Sequence, residues 1–295
     1  MGYEVEVIKA SESALDGARV LTLRLRYPRI VLAEFNTHKD PSRNTSSSRA
    51  IPVKKMLEQV RNDPAMPARF GANQSGMQDK GEEHPAWVIV PGELETLYRL
   101  WEKRTTGVLS MSDPYVMADP REFWRFMAWV NSLGSEAYSN AGFHKQIGNR
   151  LTEAYQWTNQ LVTCTDKGWK NFLYLRDHKD ADPTIAKLAA MVREVRETVQ
   201  YRVLQEGEWH LPYELPEESS LSLEAKKELS TARCARVSYE PFDGNASHAK
   251  EIERHNLLAN SVPAHASPTE HLCTPCLGRH GNFDGWKQYR QELGI

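Results

Sequence analysis

The 295-residue chain predicts a mixed α/β fold from a few local patterns. Residues 20–26 (VLTLRLR) alternate, with Leu21, Leu23 and Leu25 on one face and Thr22, Arg24 and Arg26 on the other, which is the period of a half-buried strand. Val53, Met56, Leu57 and Val60 recur at helical spacing behind Pro52, a residue suited to a helix start. Asp119-Pro120 and Asp182-Pro183 stand at the head of further apolar runs, the first through Phe123, Phe126, Met127 and Val130.

Taken in order, Pro28 ends the strand, and residues 30–35 form a short apolar run that fits either a strand or a buried helix. Residues 36–50 (NTHKDPSRNTSSSRA) are polar and lead to the helix at 53. Residues 63–92, rich in Pro, Gly, Asn and Gln, read as a long ordered loop or lid. Residues 94–103 read as helix, and the helix behind Pro120 follows. Another helix is expected from about Glu153 into the LVTCT stretch at 161–165, and a longer one from Pro183 to about Gln205. Residues 214–225 are a polar connector, and 262–276 are dense in His, Pro, Ser and Cys. Without repeats, low complexity or a clean boundary, the expectation is one domain over 1–295, with a lid or insertion at about 63–118 and a C-terminal tail at about 277–295.

Lys plus Arg number 37 and Asp plus Glu 39, so the charge is nearly balanced, which argues against a general nucleic-acid or membrane-surface binder. No apolar run approaches the roughly 18 residues of a membrane span. The start, MGYEVEVIKASES, lacks a basic-then-apolar leader, so a cytoplasmic protein is expected. Cys164, Cys234, Cys273 and Cys276 are too few for a disulfide framework in a chain of this length.

Ser42-Arg43-Asn44-Thr45-Ser46-Ser47-Ser48-Arg49 combines small hydroxyls and guanidinium groups just before a helix. That composition can cradle a phosphate or carboxylate, or it can form a capped, solvated turn; spacing alone favours the turn. Cys273 and Cys276, with His265, His271 and His280 nearby, supply half of a zinc site, but no second ligand pair follows at the usual spacing, so no metal is expected. Pro275-Cys276 matches the Pro-Cys of the thymidylate synthases and pyrimidine hydroxymethylases that attack C6 of the base with a thiol, yet Leu277 stands where their His follows. These cysteines read as packing residues. There is no P-loop and no strand followed by GxGxxG.

The stretch Thr37-His38-Lys39-Asp40-Pro41-Ser42-Arg43-Asn44-Thr45-Ser46-Ser47-Ser48-Arg49-Ala50 resembles the signature RHR-x-x-S-x-N-E-x-S-x-R-Y of the flavin-dependent thymidylate synthases. Its His, Ser, Asn, Ser and final Arg are kept; both leading arginines, the Glu and the Tyr are not. Asn171-Phe172-Leu173-Tyr174-Leu175-Arg176 resembles the same family's Asn-x-x-x-x-Arg block. Ala235-Arg236-Val237-Ser238-Tyr239, and then His265-Ala266-Ser267-Pro268-Thr269-Glu270-His271, resemble its Ala-Arg-Val-Ser-aromatic and His-x-(Ser/Thr)-Pro-x-Glu-His blocks. In the family these last blocks precede the signature; here they follow everything else. The resemblance therefore implies a circular permutation with its break just after His271, covering most of the chain apart from 63–118 and the tail.

The resemblance implies an α/β fold with a mostly antiparallel sheet packed with helices, a homotetramer with shared sites, and chemistry supplied by FAD with methylenetetrahydrofolate and NADPH as co-substrates. The expected reaction is C5 methylation of a pyrimidine deoxynucleotide, dUMP to dTMP in type, with no protein nucleophile. Arg176 would face the pyrimidine and, with Arg49, stabilise charge developing on the base. Ser47 and Arg49 would hold the nucleotide phosphate, with Arg150 as a second phosphate ligand; Glu34 and Thr45 would also touch the nucleotide. Thr37, His38, Lys39, Asn44, Asn171, Ser238, His265, Ser267 and Glu270 would line the flavin.

The departures carry their own expectations. Lys39 can replace a guanidinium as a charge but not as a bidentate fork. Glu34 stands where the family has Gln, and a carboxylate accepts from an exocyclic amine such as that of cytosine. The alternatives are therefore a dUMP or dCMP hydroxymethylase built on the same site, or a flavin- and nucleotide-binding protein without turnover.

Overall fold

The alternating leucines of residues 20–26 lie at the centre of a five-stranded sheet. The computed structural model describes residues 2–107, 115–237 and 246–295. In chain order the elements are β1 (Glu4–Ser13), β2 (Arg19–Pro28), α1 (Leu32–Phe35), β3 (Ser42–Thr45), α2 (Val53–Asn62), β4 (Val88–Ile89), α3 (Gly92–Thr106), β5 (Met117–Ala118), α4 (Pro120–Asn140) and α5 (Lys145–Gly148). They continue with β6 (Trp157–Thr165), α6 (Asp166–Arg176), α7 (Pro183–Thr198), β7 (Arg202–Leu204), α8 (Leu223–Ala235), α9 (His248–Ala259), β8 (Cys273–His280), β9 (Phe283–Gln288) and α10 (Tyr289–Leu293).

The main sheet has the order β3-β6-β2-β1-β7 and is antiparallel except for the β1–β7 pair, so the chain is α/β with a mostly antiparallel sheet. One face is apolar. Leu21, Leu23 and Leu25 pack with Trp169 and Phe172 of α6 and with Ile185, Leu188, Ala189 and Val192 of α7. Full burial of each leucine removes enough apolar surface to stabilise the fold by about 2 kcal/mol. The opposite face, expected to be solvated, is covered at one end: Thr22 is completely buried, while Arg24 stays exposed. There a polar chain crosses the strands. Ser11 Oγ lies 2.9 Å from His210 Nδ1, His210 Nε2 lies 2.8 Å from Thr22 Oγ1, Thr22 meets Thr163 at 2.6 Å, and Thr163 Oγ1 lies 2.9 Å from His271 Nδ1.

The Asp-Pro helix starts form as their chemistry dictates. Asp119 caps α4 by accepting from Arg121 N at 2.9 Å, and Asp182 caps α7 by accepting from Thr184 N at 2.7 Å. Two expectations change, and an open one is resolved. LVTCT is strand β6, not helix, because β-branched Val162, Thr163 and Thr165 suit a pleated surface and the strand is paired on both edges, by β2 and β3. The helix from Pro183 stops at Thr198, because residues 202–204 pair with β1. The ambiguous run at 30–35 is a 3-10 turn followed by α1.

Residues 63–87 contain no helix or strand; β4, α3 and β5 follow, with Val90, Tyr98 and Trp101 packed on Phe126 of α4. The C-terminal stretch forms the β8–β9 hairpin and α10, and Phe283 and Trp286 are buried against Val20, Leu204 and Cys273. Among the described residues, no helix is long and apolar enough to cross a membrane.

Candidate functional site

The site is organised by how closely α6 approaches the sheet. A Cβ on Gly168 would collide with Cys164 Sγ and Asp40 Cβ, so a side chain there would push the helix away. With glycine in place, Trp169 and Phe172 sink into the core, and Phe172 packs edge-on to His38 with ring centroids 5.1 Å apart. Arg176 is the last residue of α6, where the helix dipole favours a cation.

Arg176 joins sequence blocks far apart in the chain. Its Nη1 donates to Glu34 Oε1, its Nη2 to Thr37 Oγ1 at 3.1 Å, and its Nε to His38 Nε2 at 2.9 Å. Because His38 Nε2 accepts, the imidazole is neutral with its proton on Nδ1. Burial, with Arg176 and Arg43 adding to it, holds its pKa down to about 4. Burial also raises the Glu34 carboxyl, and Arg176 pulls it back. Arg43 Nη1 donates to the His38 carbonyl at 2.7 Å and fixes the turn into β3.

A second group of expected residues gathers round a cavity of about 410 Å³ lined by Asn44, Thr45, His265 and Ser267, together with Arg43 and Val237. Asn44 Nδ2 donates to the Cys234 carbonyl at 3.0 Å and ties β3 to α8, while Thr45 Oγ1 accepts from Gln160 Nε2 at 2.7 Å. Burial lowers the Arg43 pKa from its ordinary value. The wall thus offers a partly desolvated guanidinium, hydroxyls and an imidazole, a set suited to an anionic, hydrogen-bonding ligand.

A third group surrounds Glu153. Ser48 Oγ donates to Glu153 Oε1 at 3.1 Å, and Arg150 lies 3.9 Å from the same oxygen. Ser47 Oγ accepts from Arg49 N at 3.3 Å, and the Arg49 side chain is exposed.

The remaining expected residues lie apart. Lys39 is exposed. Asn171 is exposed on α6, and at 3.6 residues per turn it points about 140° round the helix from Arg176. Glu270 pairs with Arg290 of α10, and its carbonyl accepts from Gln288 Nε2 at 2.8 Å, so it is directed at the C-terminal segment. Ser238 lies outside the described residues.

Two further features emerge from the fold. Arg24 and Arg26, visible only as the polar face of β2, help line a cavity of about 650 Å³ with Arg233 and Arg236. Each faces an acid: Arg24 with Glu6 at 2.5 Å, Arg26 with Asp63 at 3.2 Å, Arg233 with Glu218 at 2.5 Å and Arg236 with Glu251 at 2.9 Å. Glu251 is shared with Arg254 at 3.2 Å, so these arginines belong to a network of ion pairs. Cys276 Sγ lies 3.0 Å from His280 Nε2, which is also 3.0 Å from the Leu277 carbonyl. A carbonyl only accepts, so Nε2 carries the proton and the imidazole is not poised to deprotonate the thiol. Among the described residues, no group of three His, Cys, Asp or Glu side chains is arranged to hold a metal.

No protein-family model and no curated protein sequence matches the chain. Among solved structures it is similar to the UMP/dUMP methylase PolB from Streptomyces cacaoi bound with 5-Br UMP, at 16% identity over 66% of this chain and 87% of that one, with a TM-score of 0.38. The same methylase bound with 5-Br dUMP gives 12% identity over 66% and 89%, with a TM-score of 0.39. The flavin-dependent thymidylate synthase ThyX from Helicobacter pylori, complexed with FAD and dUMP, gives 15% identity over 60% and 67%, with a TM-score of 0.35.

Proposed function

We propose that this chain is a permuted, divergent member of the flavin-dependent thymidylate synthases and transfers a one-carbon group to C5 of a pyrimidine deoxynucleotide. The carrying observation is the Arg176 cluster: Glu34, Thr37 and His38 come from the signature region, Arg176 comes from the Asn-x-x-x-x-Arg block, and their hydrogen bonds unite them.

The donor set suits FAD: the cavity of about 410 Å³ presents Arg43, Asn44, His265 and Ser267, the last two from the His-x-Ser-Pro block. When bound, the flavin supplies the reducing equivalents, and methylenetetrahydrofolate supplies the carbon, with NADPH as the electron source. The residues of the chain bind and orient. Arg176 is held by Glu34, Thr37 and His38, so its planar fork is fixed before a base arrives. Charge growing on O4 and N3 of the pyrimidine then meets a preorganised cation. His38 stays neutral and acts as an acceptor that positions Arg176. Shared sites in a homotetramer belong to the same reading.

Glu34 favours a second reading within this chemistry. A carboxylate in place of an amide accepts from an exocyclic amine, so dCMP competes with dUMP as substrate, and hydroxymethyl competes with methyl as product. The test of the common core is flavin loading. Purified protein incubated with FAD should retain a yellow flavin with a shifted absorption band, and the band should shift again when dUMP or dCMP is added. Protein that stays colourless and does not respond to nucleotide contradicts the proposal.

A further inference from the structure

Glu153 sits between two arginines and bonds properly to neither. Arg29 Nη2 is 3.6 Å and Arg150 Nη1 3.9 Å from Glu153 Oε1, whereas charge-assisted hydrogen bonds close to about 2.7–2.9 Å. The closer bond to that oxygen comes from Ser48 Oγ, at 3.1 Å. A guanidinium has several donors, and Arg29 commits one weakly, to the Ser46 carbonyl at 3.4 Å. Its side chain is 19% exposed, so its charge is little screened by solvent. A cavity of about 380 Å³ opens here, lined by Arg29, Ala33, Asn36 and Glu153, within the size range of small-ligand pockets.

The position of this cavity follows from α1. Ala33 and Asn36, three residues apart, line the cavity, while Glu34, Thr37 and His38 meet Arg176. One short helical turn therefore separates the Arg176 cluster from the Arg29–Glu153 cavity, where the Ser46 carbonyl meets Arg29 and the Ser48 hydroxyl meets Glu153.

We propose that Arg29, sharing Glu153 with Arg150, binds the phosphomonoester of the substrate, and that Glu153 holds the two guanidinium groups in reserve until the dianion arrives. The inference rests on the nucleotide reading above. A phosphate dianion is a stronger partner than one loosely held carboxylate and can accept from Arg29, Arg150 and Ser48 together. As it enters, Glu153 turns away toward solvent. The resemblance implies Ser47, Arg49 and Arg150 as phosphate ligands and gives Arg29 no role.

The test is calorimetric titration of the full-length chain with dUMP, dCMP, deoxyuridine, deoxycytidine and inorganic phosphate. Arg29→Met should weaken binding of the preferred nucleotide by about 10- to 100-fold and leave nucleoside binding unchanged. Arg29→Lys should recover part of that loss, a rescue that misfolding would not produce. Glu153→Gln removes the competing carboxylate and should tighten nucleotide binding. Wild-type nucleotide affinity in Arg29→Met overturns the inference while leaving the nucleotide reading intact. If the wild type binds neither nucleotide, that reading fails, and the phosphate arm decides: phosphate binding that Arg29→Met abolishes supports the anion site, and no phosphate binding to the wild type overturns it.

Discussion

Arg176 Nε donates to His38 Nε2 across 2.9 Å, joining the end of α6 to the turn before β3 through a neutral imidazole. Residues 138 positions apart thus hold one guanidinium in a fixed orientation. Arg176→Lys keeps the charge but loses the fork that engages Glu34, Thr37 and His38 together. Turnover per active site should fall by about 10²–10³, with a smaller change in nucleotide affinity, as steady-state kinetics with separate binding titrations will show.

Glu34→Gln tests base choice. The swap restores an amide donor beside Arg176, so preference should move from dCMP toward dUMP by about tenfold or more in kcat/KM. An unchanged ratio between the two nucleotides rules out Glu34 as the selector.

Gly168→Ala tests how Arg176 is positioned. The added methyl meets Cys164 Sγ and Asp40 Cβ, so α6 must move or the core must strain, at a cost of about 1–3 kcal/mol. Urea unfolding should show the loss, and activity should drop more than the remaining folded fraction explains.

The buried polar chain across the sheet makes stability depend on pH. Burial lowers the pKa of His271 to about 3 and that of His210 well below its ordinary value, so both stay neutral in the fold. Unfolded histidines protonate below about pH 6.5. The unfolded state therefore binds more protons between roughly pH 6.5 and the depressed folded values, and stability falls as pH falls through that window, by up to about 1.4 kcal/mol per pH unit for each histidine. Denaturation midpoints measured from pH 7.5 to 5 should decline along that slope, and His271→Gln should shed one histidine's share of it.

Much of this site was legible because local chemistry repeated at informative spacing. The leucines of β2, the Asp-Pro caps of α4 and α7, and the blocks holding Glu34, Thr37, His38 and Arg176 could all be read in one dimension. What escaped depends on tertiary context. LVTCT became a strand because two neighbours pair with it, which no window of sequence records. Thr22, on a face that reads as solvated, is buried where His210 and Thr163 bond to it, and the C-terminal hairpin packs on the neighbouring Val20. Arg29 meets Glu153 only in three dimensions, brought together by the fold from distant parts of the chain, and Glu270 likewise meets Arg290 only once α10 packs beside it.

The most direct measurement is mass spectrometry of the nucleotide after incubation of the protein with FAD, methylenetetrahydrofolate and NADPH, with dUMP and dCMP in separate reactions. A mass gain of one methyl or one hydroxymethyl group on either base, lost in Arg176→Lys, is the expected result, and the identity of the base and the gain fixes which of the two readings of Glu34 holds. An unchanged mass for both nucleotides, with flavin demonstrably bound, contradicts one-carbon transfer and leaves a flavin- and nucleotide-binding protein without turnover.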